Sequence, residues 1–176
     1  AGSHGLEVEL SFVEGIIYPY QDNKINKSSR EIYNKIKEKY QSSKKVEVED
    51  KGFGLALHLD SQQKADEIKA EIKPLVKDSA YELLAGRKII EIRPQGWDKG
   101  KAVNYITKKL KQKFEIKDPL RIYIGDDSTD EDAFEVLKKG ITIYVQNGSD
   151  LTTKAEYYLK NPRDTAKLLA EIAGEL

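Results

Sequence analysis

The sequence predicts an α/β protein in two parts: an α+β lobe with an antiparallel sheet, followed by part of a doubly wound parallel sheet. The order of the predicted elements changes at Pro94–Gln95–Gly96. Before this segment the order is two strands, helix, two strands, helix, two strands, which is typical of an α+β lobe and hints at a ferredoxin-like layout. After it, helices alternate with single apolar strands, which indicates a parallel sheet. We therefore expect the boundary between the two parts at residues 94–98.

Hydrophobic periodicity assigns the elements of the first part. Alternating apolar and polar residues predict strands, and apolar residues three and four positions apart predict one face of a helix. The predicted elements are strands 6–12 and 15–18, helix 28–40, strands 46–49 and 53–59, a helix from Ser61 to about residue 76, and strands 81–84 and 88–93. Ser61 is the expected amino-terminal cap of the second helix.

The second part follows the same rules. Its predicted elements are helix 99–113, strand 120–124, helix 130–138, strand 141–145, a short helix near Leu151, strand 157–159 and a helix from Pro162. Asn161 followed by Pro162 is a favourable cap and first position for the last helix.

The composition excludes several classes of function. The 30 Lys and Arg residues balance 30 Asp and Glu residues, and a chain without net charge is a poor partner for nucleic acid or an anionic membrane. Cysteine is absent, which excludes disulfides, thiolate zinc sites and a cysteine nucleophile. No apolar run is long enough to span a membrane and no signal peptide opens the chain, so we expect a cytoplasmic protein. Methionine is also absent and the chain opens at Ala1, so we expect a piece of a longer protein.

The segment Gly125–Phe134 (GDDSTDEDAF) places five acidic residues within seven positions, directly after the apolar strand LRIYI. Ligands bind at the carboxyl ends of parallel strands, and clustered carboxylates repel one another unless a cation neutralises them. Oxygen ligands of this kind suit Mg²⁺, and Asp126, Asp127 and Asp130 are the candidate ligands. Gly125 is expected to allow a sharp exit from the strand.

The same acidic residues also fit a second interpretation, in which they begin a helix. Ser128 or Thr129 would then be the cap, and Asp130, Glu131 and Asp132 would favour the helix dipole. We expect that this capping occurs and that Glu131 and Asp132 do little more.

Lys99 lies in the run Asp98–Lys99–Gly100–Lys101, at the start of the first helix after the boundary. A helix amino terminus and an ammonium group together form a site for an anion. The alternative is an ordinary surface lysine, since the chain has 25 lysines.

These segments resemble known motifs. GDDSTDEDAF resembles the fourth motif of haloacid-dehalogenase-type (HAD) phosphatases, in the form typical of trehalose-6-phosphate phosphatases. Pro94–Gly100 (PQGWDKG) resembles the third motif, with its lysine followed by glycine. Residues 1–10 resemble the stretch that leads into the cap domain of this family, and Val48–Lys51 and Ile90–Pro94 resemble two motifs of that domain. The resemblance spans essentially the whole chain in the family's order.

The resemblance implies a Rossmann-like HAD core, of which this chain holds a part with a parallel sheet, and an α+β cap domain with an antiparallel sheet and two helices. Residues 1–5 would be the hinge from core to cap domain, residues 6–93 the cap domain, and residues 94–176 the carboxyl-terminal part of the core.

The activity that the resemblance implies is Mg²⁺-dependent hydrolysis of trehalose 6-phosphate to trehalose and phosphate through an aspartyl-phosphate. In the family, the nucleophile and the general acid belong to an Asp-x-Asp-Gly-Thr motif, which these 176 residues do not contain. The chain is therefore expected to need a missing amino-terminal core segment. By the resemblance, Asp126 would bind Mg²⁺ with support from Asp127 and Asp130. Lys99 would neutralise the nucleophile and the phosphoryl oxygens.

The resemblance also implies sugar-binding residues. Glu49, Lys51 and Glu91 would hydrogen-bond sugar hydroxyls from the cap domain, since each carboxylate can accept from two neighbouring hydroxyls. Their alternative role is a set of cross-strand salt bridges on a solvated sheet face. His4 would line the cleft or pack at the hinge, and His58 is interpreted as a structural histidine.

Three alternative functions stay open. The run His58–Leu59–Asp60 lacks the arginine that many members carry two residues after the histidine, which leaves room for a phosphatase of another sugar phosphate. A non-catalytic, sugar-binding phosphatase-like module is the second alternative. The third is an interaction domain in which the acidic loop only caps a helix.

Overall fold

The computed structural model describes residues 1–20, 27–86, 88–148 and 152–174. In chain order its elements are a 3₁₀ helix Ser3–Gly5, β1 Val8–Glu9, β2 Ile16–Ile17, α1 Lys27–Gln41, β3 Val46–Asp50, β4 Leu55–Leu59, α2 Gln62–Val76, β5 Tyr81–Gly86, β6 Ile89–Pro94, α3 Lys99–Phe114, β7 Ile122–Gly125, α4 Glu131–Val136, β8 Ile141–Val145, β9 Tyr157–Leu159 and α5 Pro162–Ala173. None of the described helices combines the length and the apolar character that a bilayer crossing requires.

The chain forms two compact units. Residues 20–97 make up the antiparallel unit, and residues 1–19 together with residues 98–176 make up the parallel unit. Residues 6–19 were expected in the first lobe, but they pack in the parallel unit. Leu6, Val8 and Leu10 are buried there, and β1 pairs with β2 and not with the larger antiparallel sheet.

The antiparallel unit consists of a four-stranded sheet and two helices. The strand order is β3-β4-β6-β5, and every neighbouring pair is antiparallel. The alternation of each strand directs one row of side chains toward α1 and α2. That row and the apolar faces of both helices form one core, which includes Tyr33, Ile36, Leu57, Ile72 and Ile90. The Ser61 hydroxyl accepts the N–H of Lys64 and caps α2 as predicted.

The opposite face of this sheet carries polar side chains. The register places Glu49 beside Ala56 and Ala56 beside Glu91, so that the three residues form one row across β3, β4 and β6. Adjacent strands lie about 4.8 Å apart, which separates the two outer positions of the row by about 10 Å. Ala56, between them, is fully buried.

The parallel unit contains the sheet β7-β8-β9, in which both pairs are parallel. Asp98 caps α3 by accepting the N–H of Lys101, and Asn161 caps α5 by accepting the N–H of Arg163 and Asp164. The strands expected at 6–12 and 15–18 are much shorter in the structure, since Val13 donates to the Leu10 carbonyl in a turn and ends the pairing. The short helix expected near residue 151 falls largely outside the described residues.

Candidate functional site

The Asp130 carboxylate is the centre of a hydrogen-bonded site at the carboxyl end of β7. Its Oδ1 accepts Lys99 Nζ and the Tyr123 hydroxyl, each at 2.8 Å. Its Oδ2 accepts the backbone N–H of Asp126 at 3.0 Å and of Asp127 at 3.1 Å. Asp130 is only 4% exposed, so its carboxylate has lost its hydrogen bonds to water. The four donors compensate for that loss.

The absence of a side chain at Gly125 makes room for the Asp130 carboxylate. A Cβ on Gly125 would lie 2.3 Å from Asp130 Cγ and 2.6 Å from Oδ2, which is far inside contact distance. Gly125 is not among the glycines with positive φ. The expectation that this glycine permits a sharp turn is therefore replaced by a different reason: the carboxylate folds directly over the glycine backbone.

A second glycine brings Lys99 to Asp130. A Cβ on Gly100 would lie 2.3 Å from the carbonyl oxygen of Asp132, so the first turn of α3 packs directly on the backbone of α4. This close approach places Lys99 Nζ near two carboxylates, at 2.8 Å from Asp130 Oδ1 and 3.4 Å from Asp127 Oδ1. The Lys99 side chain is 22% exposed, so its ammonium keeps access to solvent.

The capping of α4 differs from the expectation. Asp127 Oδ1 accepts the Thr129 N–H at 2.7 Å, the Thr129 hydroxyl at 2.6 Å and the Asp130 N–H at 3.2 Å. Either Ser128 or Thr129 was expected to be the cap. The structure instead places the cap at Asp130, which makes no side-chain cap hydrogen bond, while Asp127 accepts N–H groups of the turn before the helix. Glu131 also does more than expected, since its carboxylate accepts the Thr153 hydroxyl and the Lys154 N–H.

The Asp126 carboxylate is exposed, while its backbone is held on both sides. Its N–H donates to Asp130, and its carbonyl accepts Asn147 Nδ2 at 2.6 Å. Within the described part of the chain, no hydrogen bond ends on the Asp126 carboxylate itself. One carboxylate oxygen from each of Asp126, Asp127 and Asp130 lies within 4.8 Å of the others. Such a set of hard oxygen donors fits a small divalent cation such as Mg²⁺.

Burial and hydrogen bonding decide the protonation states at the site. Burial raises the pKa of Asp130, but the hydrogen bonds from Lys99 and Tyr123 outweigh it and hold that pKa below its usual value. Burial, and next the hydrogen bond to Asp130, raise the pKa of Tyr123 well above its usual value. The carboxylate is therefore charged and the hydroxyl keeps its proton at neutral pH.

The antiparallel unit brings together three of the predicted sugar-binding residues, Glu49, Lys51 and Glu91. Lys51 Nζ lies 2.9 Å from Glu91 Oε1 and 4.0 Å from Glu49 Oε2. Glu49 Oε2 also lies 3.0 Å from His58 Nε2. These are the cross-strand pairs that the sequence offered as an alternative role. Glu49 is about half exposed, so its oxygens remain accessible to a further partner.

His4 lies in the parallel unit, in the 3₁₀ helix, with φ 57° and ψ 27°. It lines a pocket together with Lys99, Ala102 and Tyr123.

Sequence reasoning missed Tyr123 and Asn147 as members of the acidic site. Both could have been found: Tyr123 is two residues before Gly125 and shares its face of β7, and Asn147 follows the carboxyl end of β8, which is the next strand.

Comparisons with known proteins identify the family of the chain. A family model described as trehalose-phosphatase matches residues 1–163. The probable trehalose-phosphate phosphatase 4 of Oryza sativa is 34% identical over 149 residues, covering 81% of this chain and 40% of the relative. The probable trehalose-phosphate phosphatase E of Arabidopsis thaliana is 31% identical over 194 residues, covering 98% of this chain and 52% of the relative. The chain thus spans about half the length of the curated relatives it matches.

The fold is also shared with solved structures. A trehalose-6-phosphate phosphatase related protein has a TM-score of 0.66 at 24% identity, with 90% of this chain and 65% of that chain covered. The trehalose-6-phosphate phosphatase C-terminal domain of C. albicans has a TM-score of 0.69 at 21% identity, covering 97% and 69%. These structures establish the HAD-type α/β fold. Together with the family match, they show that the chain belongs to the trehalose-phosphatase family.

Proposed function

We propose that this chain is part of a Mg²⁺-dependent phosphatase that hydrolyses trehalose 6-phosphate to trehalose and phosphate. The observation that carries the proposal is the site at the end of β7. There, a partly exposed ammonium on Lys99 binds the buried Asp130, and an oxygen of the exposed Asp126 carboxylate lies within 4.8 Å of one from Asp130. A phosphomonoester needs both kinds of group, a cation for its oxygens and ligands for a metal ion.

The chain's own residues would divide the work. Asp126 would be the principal metal ligand, because its carboxylate accepts no other hydrogen bond within the described residues. The second oxygen of Asp127 would assist, and Asp130, with four donors already on its oxygens, would act through water. The metal ion would polarise the phosphoryl group when bound. Lys99, oriented by Asp127 and Asp130, would direct its remaining N–H toward a phosphoryl oxygen.

Sugar recognition would come from the polar face of the antiparallel sheet. Glu49 and Glu91 lie in one row about 10 Å apart, with Ala56 between them, and Lys51 reaches both. Carboxylates at this spacing suit the hydroxyls of two neighbouring rings, because each accepts from two hydroxyls.

Catalysis would also need a segment with the Asp-x-Asp-Gly-Thr motif. The outer edge of β7 has no neighbouring strand among the described residues, and Ile122 on β7 is 38% exposed. Parallel sheets are normally buried on both faces, and a free strand edge pairs readily with another strand. Apolar side chains of Ala102, Val103 and Ile106 line the pocket beside Tyr123 of β7. An extended apolar strand parallel to β7 would end at the acidic site.

The experiment compares two proteins: this chain alone, and the chain extended at its amino end by a segment carrying the paired aspartates. Phosphate release from trehalose 6-phosphate is followed with Mg²⁺ and with excess chelator. Release by the extended protein that depends on Mg²⁺ supports the proposal. Faster release from sucrose phosphate or another sugar phosphate would overturn the assignment of trehalose 6-phosphate as the substrate, but not the assignment as a phosphatase. No release from any sugar phosphate would favour a non-catalytic module.

A further inference from the structure

Asp50, at the end of β3, joins two elements through one carboxylate. Oδ1 accepts the hydroxyl of Tyr33 and, at 2.9 Å, the N–H of Gly52. Oδ2 accepts Lys37 Nζ at 2.5 Å. Tyr33 and Lys37 belong to α1, whereas Gly52 belongs to the turn between β3 and β4. The carboxylate therefore connects the helix to the turn.

The turn itself is narrow. The Lys51 N–H donates to the Gly54 carbonyl at 2.9 Å, and the Phe53 N–H donates to the Lys51 carbonyl at 2.8 Å. Gly52 has φ +73°, a conformation that other residues rarely adopt. Arg30 of α1 gives a second link, from Nη1 to the Gly52 carbonyl at 3.4 Å. The backbone on both sides of Lys51 is thus tied to α1.

Lys51 depends on this turn for its direction. It directly follows Asp50, and its long side chain crosses the sheet to place Nζ 2.9 Å from Glu91 Oε1, two strands away. A small rotation of the turn would move the far end of such a side chain by several times the shift of its Cα.

We propose that Asp50 is a positioning residue for sugar recognition: it ties the β3–β4 turn to α1 and so holds Lys51 within reach of Glu91. The inference rests on the proposed function for the role of Lys51 in binding the sugar. Asp50 itself lies on the helix side of the sheet, opposite the face that carries Glu49.

An aspartate is the residue that this link requires. One oxygen must accept the turn N–H and a hydroxyl, while the other must accept an ammonium group. Asparagine keeps the first acceptor and replaces the second with an NH₂ donor, which repels Lys37. Hydrogen bonds from Lys37 and Tyr33 lower the pKa of Asp50 to about 2, so the carboxylate is charged at neutral pH.

The test measures the affinity of the chain for trehalose 6-phosphate by calorimetry. Asp50→Asn and Lys37→Met are each expected to weaken binding about threefold to fivefold, because each removes one partly exposed ion pair that acts only through Lys51. Lys64→Met is the matched control, because it breaks an equally short pair, Lys64 Nζ to Asp60 Oδ2 at 2.5 Å, elsewhere in the same unit. The control is expected to leave the affinity unchanged.

A double variant separates positioning from general stability. If Asp50 acts through Lys51, Asp50→Asn causes little further loss in a Lys51→Met background. Full additivity of the two losses, or an equal loss in Lys64→Met, would overturn the inference. So would unchanged affinity in Asp50→Asn when the parent chain binds.

Amide exchange of the chain tests the positioning role independently of sugar binding, and hence independently of the proposed function. Exchange at Lys51 and Phe53 is then expected to be about threefold to fivefold faster in Asp50→Asn than in Lys64→Met. Equal exchange in the two variants would overturn the positioning role.

Discussion

The acidic site of the parallel unit and the polar face of the antiparallel unit hold their charged groups in different ways. Asp130 is buried and accepts four hydrogen bonds. It lies over Gly125, where a Cβ would collide with it. Glu49 and His58, in contrast, are about half exposed and joined by one contact. The first arrangement fixes one geometry, as the proposed phosphoryl transfer would require, while the second leaves its exposed groups accessible to the hydroxyls of the proposed substrate.

The largest effect is expected from a substitution of Asp126, the exposed candidate ligand of the acidic site. In the extended protein, Asp126→Asn should reduce Mg²⁺-dependent phosphate release by more than about 100-fold, since loss of a direct ligand exceeds the 10- to 100-fold typical of outer-shell partners. Steady-state kinetics at several Mg²⁺ concentrations measure the effect. Asp118→Asn makes the same chemical change at an exposed position and should leave the rate unchanged. A rate for Asp126→Asn within threefold of the parent would contradict the metal role.

The next effect tests the close packing of that site. Gly125→Ala should lower the free energy of unfolding by about 1–3 kcal/mol, because its Cβ would collide with the Asp130 carboxylate. Urea unfolding of the chain measures the change. Gly2→Ala is the control, since a Cβ there would meet Glu7 at an ordinary 3.4 Å. Equal stabilities of the two variants would show that the site tolerates a displaced Asp130.

A smaller effect is expected on the polar face. Glu91→Gln should raise KM for trehalose 6-phosphate about tenfold and leave kcat within about twofold, because a sugar contact distant from the reacting phosphorus contributes equally to ground and transition states. The exposed Glu67→Gln provides the matched change on α2. A fall in kcat with KM unchanged would assign Glu91 to the chemistry and not to binding.

The smallest effect concerns pH. The pKa of Asp50 falls from its ordinary 3.8 to about 2 in the folded chain, first through the hydrogen bond from Lys37. Its contribution is therefore present above pH 3.8 and is lost as the pH falls toward 2. Asp50 is more than a third exposed, so the contribution is at most about 1 kcal/mol after solvent screening.

Urea unfolding between pH 5 and pH 2.5 measures this contribution. Asp50→Asn should reduce the loss of stability over that range, and the exposed Asp78→Asn should not. An identical pH dependence in both variants would show that solvent screening removes the contribution of the Lys37–Asp50 ion pair to stability.

The sequence was informative where the signal is local. Ser61 and Asn161 cap their helices as predicted, and strand 141–145 has the expected bounds, because capping and alternation depend on neighbouring residues. Residues 6–12 show the limit of such patterns. Their alternation predicts a long strand, yet most of them have no partner strand in the described structure, and alternation alone provides no hydrogen-bonding neighbour.

The sequence by itself determined the two-part α/β order, the cluster of carboxylates after β7 and the resemblance to the trehalose-phosphatase family. Tertiary structure decided what each carboxylate does. Lys99 and Asp130 are 31 positions apart and meet because glycine lets α3 rest on α4. Asp130 is buried, Asp127 accepts the N–H groups of the turn, and Asp126 stays exposed. This division depends on donors from several elements. Local periodicity carries no information on such distances, because they arise from packing between elements.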